Sequence, residues 1–407
     1  MHKVTEPIQY ISDQLLAQIA ALCKTLPKVV VVGAGPAGLN LARGLKGHAD
    51  VTIVDGKGYH ELNSGTLQTF ITPHHGKKVL IDYRSIPDIG KVINGKVVSV
   101  HKGYVTVDNG AYTGQWDLEY DWLVLAPGSS YADGPIKTFC SSAEERQAMI
   151  QQEHAKLAAA KTILVIGGGI VGVELAGEVV TKLPGKRVVL LTSGPRLIAD
   201  KPSDIGGRAK EFLERQGVEV HVNTRVTKTG EGEYVSTIGR TFEADVVYMT
   251  VGGTPNTRFL EKGIIPLDSK GFIMVNEHLQ VKGLHNVYAI GDATDVKETK
   301  LGYLAAGHGR LTALNLIQRF QKGDAAAQQA WIPFGGFEFL TGQAMLFTLG
   351  RADGVSQGWF TAWLTMMGPD GWFPGWLKAK EQYTTTTRRG LGLGEPEADG
   401  HPLVEAT

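Results

Sequence analysis

An α/β fold built from two similar strand–turn–helix units is predicted by three features of the sequence. Val29-Val30-Val31-Val32 runs into Gly33-Ala34-Gly35-Pro36-Ala37-Gly38, and Leu39 to Leu45 then follows helical spacing. The pattern recurs 134 residues later, where Thr162-Ile163-Leu164-Val165-Ile166 runs into Gly167-Gly168-Gly169-Ile170-Val171-Gly172. Each unit is followed by a second β-branched strand and, further on, by a buried strand that stops at a glycine turn: Ala126-Pro127-Gly128-Ser129 and Val251-Gly252-Gly253.

The spacing Gly-x-Gly-x-x-Gly between a strand and a helix has a steric logic. The first glycine permits the turn, the second lets a pyrophosphate approach the backbone, and the third lets the helix pack on the strand. The helix N-terminus then presents free N–H groups to the phosphates. One such fingerprint is weak. Two copies in one chain imply two Rossmann-like dinucleotide-binding domains, hence two bound dinucleotides.

The two copies differ at the end of their second strand. Val51-Thr52-Ile53-Val54 ends in Asp55, 22 residues after Gly33, placed to accept hydrogen bonds from a ribose. The equivalent strand, Val188 to Leu191, ends in Thr192-Ser193-Gly194-Pro195-Arg196. Thr192 and Ser193 can donate to a 2′-phosphate and Arg196 can pair with it, so the second copy leans towards NADPH, with NADH also accepted. Asn286-Val287-Tyr288-Ala289-Ile290-Gly291-Asp292 delivers a carboxylate to a turn before a helix around 302–315, placed to hydrogen-bond a ribityl chain.

Bulk properties narrow the class. With 41 Lys+Arg against 41 Asp+Glu, the charge gives no bias towards nucleic acid. The two cysteines, Cys23 and Cys140, form no Cys-x-x-Cys, which argues against a zinc site, a disulfide scaffold and a redox dithiol. His74-His75 lacks a third ligand at a useful spacing, so no metal is expected. The longest uncharged stretch, Gly354 to Pro369, has sixteen residues and is too short and polar to span a bilayer. A signal peptide is not expected, because Glu6, Pro7 and Asp13 interrupt the N-terminus and no apolar stretch develops, and the Met-His start gives no expectation of myristoylation. Residues 7–25 read as an amphipathic helix, packed on the domain surface or docking on a membrane or partner.

With these residues in view, the chain resembles the two-dinucleotide-binding flavoprotein reductases. Val275-Asn276-Glu277-His278-Leu279-Gln280-Val281 and Gly350-Arg351-x-Asp353-Gly354-Val355-x-Gln357 resemble more narrowly the ferroptosis-suppressor and apoptosis-inducing-factor-like quinone reductases, related to type II NADH dehydrogenases. The resemblance covers roughly residues 28–360 and departs at Pro127, where the family carries threonine. It implies an FAD domain over 28–135 and 267–330, with an NAD(P)H domain, 136–266, inserted in it. Residues 1–27 precede these domains, 331–393 form a smaller C-terminal α+β region, and 394–407 form a disordered tail.

The implied activity is an NAD(P)H:quinone oxidoreductase acting on ubiquinone or vitamin K type lipids at a membrane surface, with FAD, in some members hydroxylated, as the resident cofactor. Candidate FAD contacts are Gly33, Gly35, Pro36, Ala37, Gly38, Asp55, Lys57, Ala126, Gly128, Ser129, Gly291, Asp292, Lys300 and Leu301. Those for NAD(P)H are Gly167, Gly169, Ile170, Val171, Gly172, Glu174, Thr192, Ser193, Arg196, Val251 and Gly252. Glu174 matches a family glutamate that orients the nicotinamide or relays a proton, or is simply a first-turn acid that complements the helix dipole. Lys300 matches a lysine beside the flavin, where it can stabilise charge on the reduced ring, or is a solvated surface lysine. His308 either faces the quinone or is a satisfied core histidine.

Four of the seven tryptophans fall between Trp359 and Trp376, with Lys378, Lys380, Arg388 and Arg389 beyond. That composition suits a membrane interface admitting a lipid quinone, or a dimer or domain-packing surface. The expected setting is cytoplasmic, peripheral to membranes or lipid droplets, as a monomer or homodimer. Two other functions stay open: reduction of a ferredoxin, rubredoxin or monodehydroascorbate, and a redox-responsive binding protein of apoptosis-inducing-factor type.

Overall fold

The computed structural model describes residues 25–110, 114–131, 134–199, 203–261, 263–323, 327–331, 345–348, 354–357, 388–389 and 391–393. All but Thr25 of the helix expected over 7–25 lies outside them, as do the aromatic run at 359–376 and the tail at 394–407.

The first unit opens with β1 (Lys28–Val32), α1 (Pro36–Gly44) and β2 (Asp50–Asp55). Val29 to Val32 are buried, as expected of a central parallel strand covered on both faces. A short antiparallel pair, β3 (Tyr59–Glu61) and β4 (Leu80–Asp82), brackets α2 (Asn63–Ile71). Next come β5 (Lys91–Asn94) and an antiparallel meander, β6 (Lys96–His101), β7 (Tyr104–Asp108) and β8 (Gln115–Glu119). The chain then returns to the main sheet as β9 (Trp122–Leu125) and leaves it through the short β10 (Ser129–Ser130).

After α3 (Ala143–Ala159) the plan repeats: β11 (Thr162–Ile166), α4 (Ile170–Lys182), β12 (Arg187–Leu191), α5 (Ser203–Arg215) and β13 (Glu219–His221). A second meander, β14 (Val226–Gly230), β15 (Glu233–Ser236) and β16 (Thr241–Glu243), precedes β17 (Val246–Met249) and the short β18 (Thr254–Pro255). β19 (Val287–Ala289) rejoins the first sheet, α6 (Gly302–Lys322) covers it, and a hairpin pairs β20 (Met345–Thr348) with β21 (Gly354–Gln357).

The first sheet has the order β19-β9-β1-β2-β5 and the second β13-β12-β11-β17. Every pair within these two sheets is parallel. One apolar core surrounds the first sheet, from Val29 and Leu41 to Leu123 and Leu316. A second lies between α4, α5 and the second sheet around Val165, Val173 and Leu190. Helix α6 crosses α1 at backbone contact, since a Cβ at Gly309 would sit 2.2 Å from Ala37 O.

Candidate functional site

Strand register builds the first cradle. Val32 pairs with Val54 on one side and Leu125 on the other, so Gly33, Asp55 and Ala126 leave the sheet side by side. Gly33 N–H donates to Val54 O at 2.8 Å, and Ala126 N–H to Val32 O at 2.8 Å. A Cβ at Gly33, where φ is +102°, would lie 2.2 Å from Ala126 O, and one at Gly38 2.0 Å from Gly33 O. A Cβ at Gly35 would meet nothing within 4 Å, so open space faces the N-terminus of α1, which begins with Pro36 and Ala37. Asp55 accepts from Ala34 N–H at 2.7 Å and Lys57 N–H at 2.8 Å, which fixes the carboxylate at the rim.

The second cradle repeats this sterically. Gly167 N–H donates to Leu191 O at 2.8 Å, and Thr250 N–H to Ile166 O at 2.9 Å. A Cβ at Gly167, φ +130°, would lie 2.4 Å from Thr250 Oγ1, and one at Gly172 1.9 Å from Gly167 O. At Gly169 it would meet nothing within 4 Å, leaving the N-terminus of α4, with Ile170 and Val171 in its first turn, open to an anion. Thr192 occupies the place of Asp55 and accepts from Gly194 N–H at 3.3 Å. Ser193 is exposed. Arg196 donates Nη2 to Ala199 O at 3.0 Å, while its buried Nη1 has no hydrogen-bond partner among the described residues. Glu174 is buried on α4. Val251 is exposed at the strand end beside Gly252, whose φ is +70°.

The two glycine-turn endings meet. β10 pairs antiparallel with β18, matching Ser129 to Pro255 and Ser130 to Thr254. Asn256 donates its N–H to Gly128 O at 3.0 Å and Nδ2 to Pro127 O at 2.9 Å, and accepts from Ser130 Oγ at 2.8 Å. The exits of both cradles are thereby joined, as two cofactors exchanging a hydride require.

Asp292 lies at this junction. Gly291, φ +74°, packs against Ala37, where a Cβ would come within 3.2 Å of Ala37 Cβ. The Asp292 carboxylate accepts from Ser129 Oγ at 2.7 Å and from Lys137 Nζ at 2.8 Å, and Lys137 also donates to Ser129 Oγ at 3.0 Å. Burial alone would raise the Asp292 carboxyl, but the Lys137 ammonium and these hydrogen bonds hold it below the usual carboxylate range. Lys300, just before Leu301 at the start of α6, donates to Thr294 O at 2.9 Å and Val296 O at 3.0 Å. Burial lowers its pKa while Glu298 and Asp292 oppose the shift, so it is a partly desolvated cation rather than a free surface lysine. His308 is 1 % exposed and held in the core by Gly291 N–H and Glu298, so its ring does not reach a quinone arriving from solvent.

The residues that sequence reasoning missed here are Lys137 and Asn256. Lys137 follows Gly134-Pro135-Ile136 and has φ +53°, a left-handed conformation that costs a lysine about 1 kcal/mol and persists where surroundings dictate it. His60 is buried with Nδ1 3.0 Å from Ala34 O in the first cradle. Burial and the Lys57 charge lower its pKa to about 4. The ring is therefore neutral at pH 7 and Nδ1 carries the hydrogen given to Ala34 O. No local spacing announces Lys137 or Asn256.

The family model for the pyridine nucleotide-disulphide oxidoreductases matches residues 27–330. Human ferroptosis suppressor protein 1 is 32% identical over 347 residues, covering 81% of this chain and 88% of that protein. Apoptosis-inducing factor homolog B of Dictyostelium discoideum is 27% identical over 358 residues, covering 81% and 89%. Among solved structures, an NAD-dependent persulfide reductase from A. fulgidus superposes with a TM-score of 0.65 at 21% identity. That match covers 81% of this chain and 64% of that one. The chain belongs to the pyridine nucleotide-disulphide oxidoreductase family, in the branch of the ferroptosis-suppressor and apoptosis-inducing-factor homologues. It is an NAD(P)H-dependent flavin oxidoreductase.

Proposed function

We propose that the chain passes two electrons from NAD(P)H, by way of FAD, to a lipid quinone at a membrane surface, yielding a hydroquinone that limits lipid peroxidation. The observation carrying this reading is the β10–β18 junction, which ties the exits of two dinucleotide cradles together in a chain without a Cys-x-x-Cys. With no dithiol beside the flavin, electrons have no disulfide to enter, which favours direct delivery to a diffusible acceptor. The similarity to human ferroptosis suppressor protein 1 supports the same assignment.

When bound in the first cradle, FAD would supply the hydride acceptor and the electron store. Gly35 and the N-terminus of α1 would receive the pyrophosphate, Asp55 the adenosine ribose, and Asp292 the ribityl chain. Lys137 and Lys300 place two cations near Asp292, a field that favours negative charge on a reduced ring. In the second cradle Gly169 and α4 would receive the other dinucleotide, and Thr192, Ser193 and Arg196 Nη1, which has no partner among the described residues, suit a 2′-phosphate. Glu174, buried on α4, would orient the nicotinamide or relay a proton. No helix among the described residues is long and apolar enough to cross a membrane, so attachment is assigned to the aromatic and basic residues after Trp359.

The test is anaerobic. NADPH, and separately NADH, should bleach the flavin of the purified protein, and a short-chain ubiquinone should restore the oxidised spectrum stoichiometrically. Bleaching that no quinone reverses would move the acceptor to a protein or another small molecule. Replacing Trp363 and Trp372 by serine should release the protein from anionic vesicles while sparing reduction of a soluble quinone. Unchanged vesicle binding would overturn the membrane assignment.

A further inference from the structure

Behind the Gly291–Asp292 turn lies a buried series of side chains that no nucleotide motif requires. Gly291 N–H donates to His308 Nδ1 at 3.0 Å. On the other side of the ring, Nε2 lies 2.9 Å from Glu298 Oε1, a carboxylate whose side chain is only 4% exposed, in a close approach that is not aligned as a hydrogen bond. Glu298 Oε2 accepts from Trp331 Nε1 at 3.0 Å, and the Trp331 ring stands edge-on to His308 with centroids 4.4 Å apart. Trp331 is anchored in turn by its N–H to Glu277 O at 2.6 Å.

The chemistry fixes the tautomer. A backbone N–H only donates, so Nδ1 must be bare, and Nε2 carries the ring hydrogen beside Glu298. The histidine is therefore an acceptor built for one donor, the amide that immediately precedes Asp292. That turn is gripped at two points: Ser129 and Lys137 hold the Asp292 carboxylate, and His308 holds the backbone one residue before it. Gly291 also carries a positive φ, which glycine adopts without strain, and it opens the short 3-10 turn Gly291–Ala293.

We propose that His308 is a positioning residue for the flavin site: it holds the Gly291–Asp292 turn so that the carboxylate faces the flavin, with its ring oriented by Glu298 and Trp331. This rests on the reading that Asp292 meets FAD. Loss of the Gly291 contact leaves a buried amide unpaired and should cost flavin affinity without touching the second cradle.

Two substitutions separate the contact from the packing. His308→Asn places its side-chain oxygen near the position of Nδ1 and can keep the Gly291 bond, whereas His308→Gln reaches towards Glu298 and loses it. The readouts are FAD dissociation constants on reconstituting stripped protein, the visible circular dichroism of the bound flavin, and the melting temperature. His308→Gln should bind FAD about tenfold more weakly with an altered flavin dichroism, and His308→Asn should stay near wild type. Equal affinity and dichroism in both variants and wild type would overturn the proposal. So would an equal loss in both, which would assign the ring to packing alone. A wild-type chain that binds no flavin would instead sink the flavin reading itself, and this proposal with it.

Discussion

Replacing Gly169 by alanine adds one methyl group at the N-terminus of α4, where an added Cβ meets nothing within 4 Å. The backbone there has φ −76° and ψ 179°, which any residue adopts, so the fold should barely notice. A small loss of capping preference is offset by lower unfolded-state entropy, each under about 1 kcal/mol. The same methyl at Gly172 would lie 1.9 Å from Gly167 O and 2.6 Å from Thr250 Oγ1. Backbone cannot rotate away as a side chain does, so overpacking there should cost about 3 kcal/mol and lower the melting temperature by several degrees. If the open space at Gly169 receives a pyrophosphate, its methyl should weaken NAD(P)H binding by about 10- to 100-fold, or 1.4–2.7 kcal/mol. Flavin content should stay at wild-type level. Gly35→Ala, in the matching space of the first cradle, should invert the pattern by losing flavin first. The assays are NAD(P)H titration under anaerobic conditions, flavin content after purification, and thermal melting. A Gly169→Ala protein with unaltered NAD(P)H affinity, or with a melting loss equal to that of Gly172→Ala, would refute the reasoning.

Three further outcomes are expected. His60 takes up its proton near pH 6.5 in the unfolded chain but only near 4 in the fold, so the unfolded state binds more protons between those values. Stability should therefore be full above about pH 6.5 and fall as the pH drops towards 4, by about 3 kcal/mol, and urea titrations across that window should show a flatter slope in His60→Asn. Arg146 is fully buried and donates Nη2 to Glu61 Oε1 at 2.8 Å, so Arg146→Met should cost about 3–5 kcal/mol by stranding the carboxylate, with much of it recovered in Arg146→Met/Glu61→Leu. Denaturation midpoints of the two variants decide this. Lys137→Met should weaken FAD binding, and a double-mutant cycle with Asp292→Asn, read by flavin titration, should give a coupling of about 1–3 kcal/mol; additivity would mean that the pair acts independently.

Where backbone geometry depends on residues adjacent in the chain, it was legible in the sequence. Both glycine cradles carry a local signature: a β-branched strand, three glycines at set spacing and a helix start. Asp55 and Thr192 were found by the same logic, because a parallel strand pair places the residue after the second strand beside the first glycine. The Gly291–Asp292 turn was found as a carboxylate following a short strand. What the sequence could not show is who meets Asp292. Lys137 lies 155 residues away in the chain, and the left-handed backbone it adopts is one that no composition predicts for a lysine. The joining of Ser129–Ser130 to Thr254–Pro255 likewise spans the whole second unit. His308 shows the division most clearly. Its place on a helix was readable from spacing, but its role depends on a backbone amide 17 residues earlier and a carboxylate brought in by the loop before α6. Local sequence determines backbone conformation through sterics and hydrogen bonding within a few residues. Partners for buried polar groups are decided only when the sheets and helices have packed, because each such group takes whatever donor or acceptor the topology leaves within about 3 Å.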